Sequence, residues 1–65
     1  MKIYYDSEVD ALYLELSKDT PDGVIEISKG VNLDTTFDNK IVGIEILNAS
    51  QKIDIETIYS YHLKL

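Results

Sequence analysis

The sequence predicts an α+β fold for residues 1–65 as a single small domain: a five-stranded antiparallel β-meander with a C-terminal helix packed on one face. Three observations lead there. Residues 11–17 alternate Leu12, Leu14 and Leu16 against Ala11, Tyr13 and Glu15, the period of a half-buried strand. Clusters of turn formers, Asp6-Ser7-Glu8-Val9-Asp10 and Asp19-Thr20-Pro21-Asp22-Gly23, punctuate such runs. The strands so delimited share one apolar face, which water disfavours and a further element must cover.

Strands are expected at about 2–5, 11–17, 24–27, 31–37 and 40–47. In the first hairpin, a loop from Ser7 to Asp10 aligns Ile3 with Leu14 and Tyr5 with Leu12 on one face. On the other it sets Lys2 opposite Glu15 and Tyr4 opposite Tyr13, an ion pair and an aromatic pair worth ~0.2–1 kcal/mol each. A three-residue loop at Ser28-Lys29-Gly30 aligns Ile27 with Val31 and Ile25 with Leu33, and puts Gly30 where a positive φ is needed. A two-residue loop at Asp38-Asn39 pairs Phe37 with Lys40, Thr35 with Val42, Leu33 with Ile44 and Val31 with Ile46. The opposite face then receives Thr36 with Ile41, Asp34 with Gly43 and Asn32 with Glu45. A slip of one residue would exchange the faces, so the apolar pairing selects these registers; that of the second strand against the third stays open. The apolar face collects Ile3, Tyr5, Leu12, Leu14, Leu16, Ile25, Ile27, Val31, Leu33, Val42, Ile44 and Ile46.

Residues 49–65 are the natural cover. With Asp54 as N-cap, Ile55, Ile58, Tyr59 and His62 recur at helical spacing, which predicts a helix over about 55–62. The same stretch also alternates as a strand through Tyr59, Tyr61, Leu63 and Leu65, and the all-β alternative is a sixth strand with a sandwich made by a second subunit. Helix is preferred, because a sixth strand would leave the sheet uncovered.

Composition excludes several functions. Six Lys and no Arg stand against seven Asp and five Glu, a net charge of −6, and the lysines are dispersed singly. Such a chain repels phosphate backbones and anionic lipid, so neither nucleic acid nor a membrane is an expected partner. A basic protein partner is compatible with the acidity. Zero cysteines removes disulfides, thiolate metal sites and cysteine nucleophiles, and fits a reducing compartment. With no apolar leader-like run after Met1-Lys2, the expected location is the cytoplasm. A chain this short buries a small core, so a homo-oligomer is the default expectation.

Few residues carry chemistry. Asp6, Glu8 and Asp10 have the spacing that opens a calcium loop, yet the sixth position is Ala11 in place of Gly and the twelfth is Ser17 in place of a bidentate Glu. Their plainer role is to close the turn through side-chain to backbone hydrogen bonds, with a cation site as the alternative. His62 is the sole imidazole, no Ser lies in a nucleophile-elbow motif, and Gly23, Gly30 and Gly43 are too isolated to cradle phosphate. No catalytic residue, metal or cofactor is therefore assigned. Gly43, in mid-strand, permits a bulge or the close approach of another group. Tyr4, Tyr13, Glu15, Glu26, Asp34 and Glu45 all project from the second face, and form the candidate partner-binding surface.

The run Ile3-Tyr4-Tyr5-Asp6-Ser7-Glu8-Val9-Asp10-Ala11-Leu12-Tyr13 resembles the opening of the small bacterial proteins grouped as domain of unknown function 2283. Gly30-Val31-Asn32-Leu33-Asp34 and Ile41-Val42-Gly43-Ile44-Glu45-Ile46-Leu47-Asn48-Ala49-Ser50 are similar to its second and third signatures, in the same order. Basic positions usually Arg in that family are absent or Lys here, and the segment after Ser50 lies outside the shared pattern. The resemblance implies no established activity; it implies an accessory protein, of the kind found in toxin–antitoxin-like gene pairs. The function expected is thus a small acidic protein-interaction module without enzymatic activity. The rival is a metal or small-ligand binder, or an enzyme, whose site is completed across a dimer interface by Asp6, Glu8, Asp10 or the sheet-face carboxylates with His62.

Overall fold

The computed structural model describes residues 1–57 and Tyr59. Five strands, β1 (Lys2–Asp6), β2 (Ala11–Glu15), β3 (Gly23–Ser28), β4 (Val31–Thr35) and β5 (Ile41–Leu47), are followed by a 3₁₀ turn at Ala49–Gln51. All neighbours are antiparallel, in the order β1-β2-β5-β4-β3. The five antiparallel strands are as expected, but their order is not that of a meander. β3, β4 and β5 form consecutive hairpins that fold back as a block, so that β5 pairs with β2 and β3 becomes an edge, a Greek-key connection.

Side chains explain the choice. Pairing β2 with β5 sets Leu12 opposite Ile46 and Leu14 opposite Ile44 on the apolar face, and Tyr13 opposite Glu45 on the other. The chain leaves β2 by crossing the start of β5, where Leu16 N and Ser17 N both donate to the Val42 carbonyl at 2.8 and 3.0 Å. That crossing ends β2 at Glu15, short of the expected residue 17, and leaves Leu16 exposed.

The β1–β2 register is the predicted one, with Lys2, Ile3, Tyr4 and Tyr5 facing Glu15, Leu14, Tyr13 and Leu12. Ile25 faces Leu33 as expected, but the turn is one residue tighter: Ser28 pairs with Val31, and Ile27 is absorbed as a bulge. Gly30 has the positive φ expected of it, +75°. In β4–β5 the predicted pairs hold from Val31–Ile46 to Asp34–Gly43, after which Thr35 meets Ile41 and not Val42. The expected two-residue loop is replaced by a longer turn in which Asn39 N donates to the Thr36 carbonyl and Thr36 N to that of Lys40, with Asn39 at φ 68°. The Thr36 hydroxyl donates to Asp38 and accepts from Lys40 N, which ends β4 at Thr35 and turns Phe37 out to solvent.

The core lies over one half of the sheet. Leu12, Ile46 and Ala49 are buried, and Ile3, Tyr5, Leu14, Val31, Ile44, Ile53 and Ile55 pack against them. Of the expected cover over residues 49–65, Ala49, Ile53 and Ile55 pack on the core. Asp54 caps a helical turn at residues 55–57 by accepting from Glu56 N at 3.0 Å. Of the predicted helix over 55–62, Ile58 and residues 60–62 lie outside the described residues, as do His62 and the region on which the sixth-strand alternative rests. Among the described residues the cover does not reach β3: all six residues of that strand are exposed, so Ile25 and Ile27 are not the core residues that alternation suggests.

Candidate interaction surface

Strand pairing brings the six candidate partner-binding residues to one face. Across the sheet, Tyr4, Tyr13, Glu45, Asn32 and Glu26 form one continuous row of paired positions, and Lys2, Glu15, Gly43, Asp34 and Val24 form the next. Four carboxylates and two phenols thus share a surface on which Lys2 is the single cation of these two rows.

Gly43 organises its centre. A Cβ there would fall 2.1 Å from the Tyr13 hydroxyl oxygen and 2.8 Å from the Leu14 carbonyl oxygen, so the missing side chain is what lets the Tyr13 ring lie diagonally across β5. The phenol thereby reaches β4 and donates to Asp34 Oδ2 at 3.0 Å. Burial, then the hydrogen bond to Asp34, push the Tyr13 phenol above its ordinary 10.0, so it remains a donor at neutral pH. Asn32 Nδ2 donates to Glu45 Oε1 at 3.0 Å, and Gly30 N to Glu26 Oε2 at 3.4 Å. Donors from the sheet and from its β3–β4 turn hold three of the four acids, which pre-orients them without neutralising them. Tyr4, half exposed beside Tyr13, offers a flat amphipathic ring at the rim.

The acids of the first turn are arranged differently. Asp6 closes the turn as expected, its Oδ1 accepting from Glu8 N at 3.0 Å. Asp10 does not: at φ 55° it directs its carboxylate away from the turn and ties three segments together. Its Oδ1 accepts from the Tyr5 hydroxyl at 2.7 Å and from Ser50 N at 3.0 Å, its Oδ2 from the Ser50 hydroxyl at 2.7 Å, and its carbonyl from Ala49 N at 2.9 Å. The hydrogen bonds from Tyr5 and Ser50 hold the Asp10 carboxyl below its ordinary 3.8, and the Tyr5 phenol, donating to that carboxylate, is pushed up to about 12. The latch was not visible as a site in the sequence. Its one signal was that Asp10-Ala11-Leu12-Tyr13 and Asn48-Ala49-Ser50 each carry a small residue beside a polar one, a pattern that acquires meaning only when the two segments meet. Among the described residues, no three His, Cys, Asp or Glu side chains are placed to hold a metal ion, and Asp6, Glu8 and Asp10 do not converge on one point.

Two open concavities flank the sheet, about 290 Å³ beside Lys2, Glu15 and Lys18, and about 550 Å³ between Glu26, Lys29 and Lys52. Ser17 also lines the first, where its hydroxyl oxygen accepts from Asp19 N at 3.0 Å. No described helix is long and apolar enough to cross a membrane.

The latch and the Gly43–Tyr13 crossing are built from the segments that a family model recognises. The model for "Protein of unknown function (DUF2283)" matches residues 2–50. The chain belongs to this family. The matched region takes in all five strands and ends at Ser50, the residue that closes the Asp10 latch. No curated protein and no solved structure shows significant similarity to it.

Proposed function

We propose that this family member is a non-catalytic interaction module of the cytoplasm whose acidic, tyrosine-bearing sheet face docks on a basic protein partner. The observation that carries the reading is the row Tyr4–Tyr13–Glu45–Asn32–Glu26, flanked by Glu15 and Asp34: an open face rich in acceptors, with its carboxylates pre-oriented from within. Pre-orientation lowers the ordering cost of docking, phenol rings supply contact area with little rotamer loss, and a surplus of one charge steers association with the opposite one. The net charge of −6 supports the same polarity. A neutralising role in a toxin–antitoxin-like pair is the narrowest form of this reading.

The test is affinity purification from native extract with the wild-type chain and with the Glu15→Lys, Glu45→Lys double variant, each checked for a native sheet by circular dichroism. A basic protein is expected with the wild type at physiological salt, absent with the variant, and released near 1 M salt, where screening shortens to about 3 Å. Recovery of the chain alone, or of the same protein with the variant, overturns the reading.

A further inference from the structure

We propose that β3 is a homodimer interface at which two copies of this chain pair edge to edge, antiparallel, about a two-fold axis through Ile25, and join their sheets into one of ten strands. This stands apart from the docking face, which such a dimer leaves open on one side.

Three features of the edge point to a second copy as occupant. First, β3 is exposed along its whole length: Val24, Ile25 and Ile27 are 65, 50 and 58% accessible, and the strand itself carries no Lys or Pro, the residues that commonly protect an edge. The other edge differs, since Ile3 and Tyr5 of β1 already pack into the core and the Tyr59 ring stands edge-on to Tyr5, 6.4 Å between centroids.

Second, the charges at the two ends of β3 are opposite. Asp22 precedes the strand and Lys29 follows it. Antiparallel pairing carries the Lys29 end of each copy to the Asp22 end of the other, whereas parallel pairing would set like charges together.

Third, the register is determined. Facing residues in an antiparallel ladder share a side of the sheet, so a two-fold axis must place one residue opposite itself. Centring on Glu26 would oppose two carboxylates, and centring on Val24 would set Asp22 against Glu26. Centring on Ile27 falls on the bulge. Centring on Ile25 gives Ile25 against Ile25, Val24 against Glu26 and Gly23 against Ile27, with no like charges directly opposed. It also continues the Ile25–Leu33 apolar strip of one copy into the other.

The absence of cysteine makes the test direct. The 65-residue chain is expected to run as a dimer by size exclusion with light scattering at tens of micromolar. Ile25→Lys, at a half-exposed edge position, is expected to give a monomer with an unchanged far-ultraviolet spectrum. Under mild oxidation Ile25→Cys is expected to form a covalent dimer, because directly opposed residues bring Cα atoms within about 4.5–5.5 Å, inside disulfide range, whereas Val24→Cys faces Glu26 and crosslinks at least tenfold more slowly. A monomeric wild type at about 100 µM overturns the proposal. So does a dimer that survives Ile25→Lys, or one that crosslinks through Val24→Cys or Tyr4→Cys in preference to Ile25→Cys.

Discussion

The two edges of the sheet start from equivalent hairpins and end in opposite conditions. Ile3 pairs with Leu14 at one edge as Ile25 pairs with Leu33 at the other, yet the first pair packs in the core and Ile25 stands half in water. Strand composition does not account for this. The cover does: Ala49, Ile53 and Ile55 come down over Tyr5, Leu12, Ile46 and Val31 because Asp10, in the β1–β2 turn, holds both Ala49 N and Ser50. The point at which the C-terminal segment is tethered decides which half of an apolar face is buried, and which half stays exposed.

Substitutions at matched positions in the two halves sharpen that contrast. Leu12→Ala, at a fully buried site between Ile3, Tyr5 and Ile46, is expected to cost about 3 kcal/mol, whereas Ile25→Ala, measured in dilute solution, should cost under ~1 kcal/mol. Urea midpoints measure both, and equal losses would break the comparison. Glycines repeat the experiment on a smaller scale. Gly43→Ala forces Tyr13 off β5 and still meets the Leu14 carbonyl oxygen, for an expected loss of about 2 kcal/mol, while Gly23→Ala meets nothing within 4 Å and should stay within ~0.5 kcal/mol of wild type.

Much of this was legible in the residues. Period-two alternation with short turns determined both faces, the β1–β2 register and the core of the β4–β5 register, because any slip would have exposed Leu12, Ile44 or Ile46. The grouping of Tyr4, Tyr13, Glu15, Glu26, Asp34 and Glu45 on one face followed from the same periodicity. What was not legible was long-range. Alternation cannot distinguish β3 from β5 as the neighbour of β2, since each offers an apolar row; the choice is made by the fit of Tyr13 over Gly43 and by the tether at Asp10. The bulges at Ile27 and Val42 escaped for a local reason, because turn lengths there depend on the Thr36–Asp38 and Lys29-Gly30 geometries and not on hydrophobic pattern.

Weakening the tether should move the covered half toward the bare one. Ser50→Ala removes a hydroxyl donor to the Asp10 carboxylate but keeps Ser50 N on it, so Tm is expected to fall by about 5 °C, with the loss of hydrogen-exchange protection concentrated in β1 and β2 and β3 unchanged. Protection lost equally from β3 would break the link between tether and cover.

The smallest expected effect is a pH dependence that belongs to the covered half alone. Tyr5 has its phenol raised from 10.0 to about 12 by donation to Asp10, so its contribution to stability is complete below pH 10 and declines as pH rises from 10 toward 12. Asp10 has its carboxyl held below 3.8 by Tyr5 and then Ser50, so its contribution is complete above that value and is lost as pH falls through its folded pKa. Stability measured by urea titration should therefore be level between about pH 4 and 10 with respect to this pair, and fall on both sides. Tyr5→Phe should flatten both limbs, leaving on the alkaline side what Tyr13, also raised, contributes. Ser50→Ala should flatten the acid limb only, because Ser50 donates to Asp10 and has no part in the ionisation of Tyr5. An alkaline limb unchanged in Tyr5→Phe would mean that the phenol does not donate to Asp10 in solution, and the tether would then rest on Ser50 and Ala49 alone.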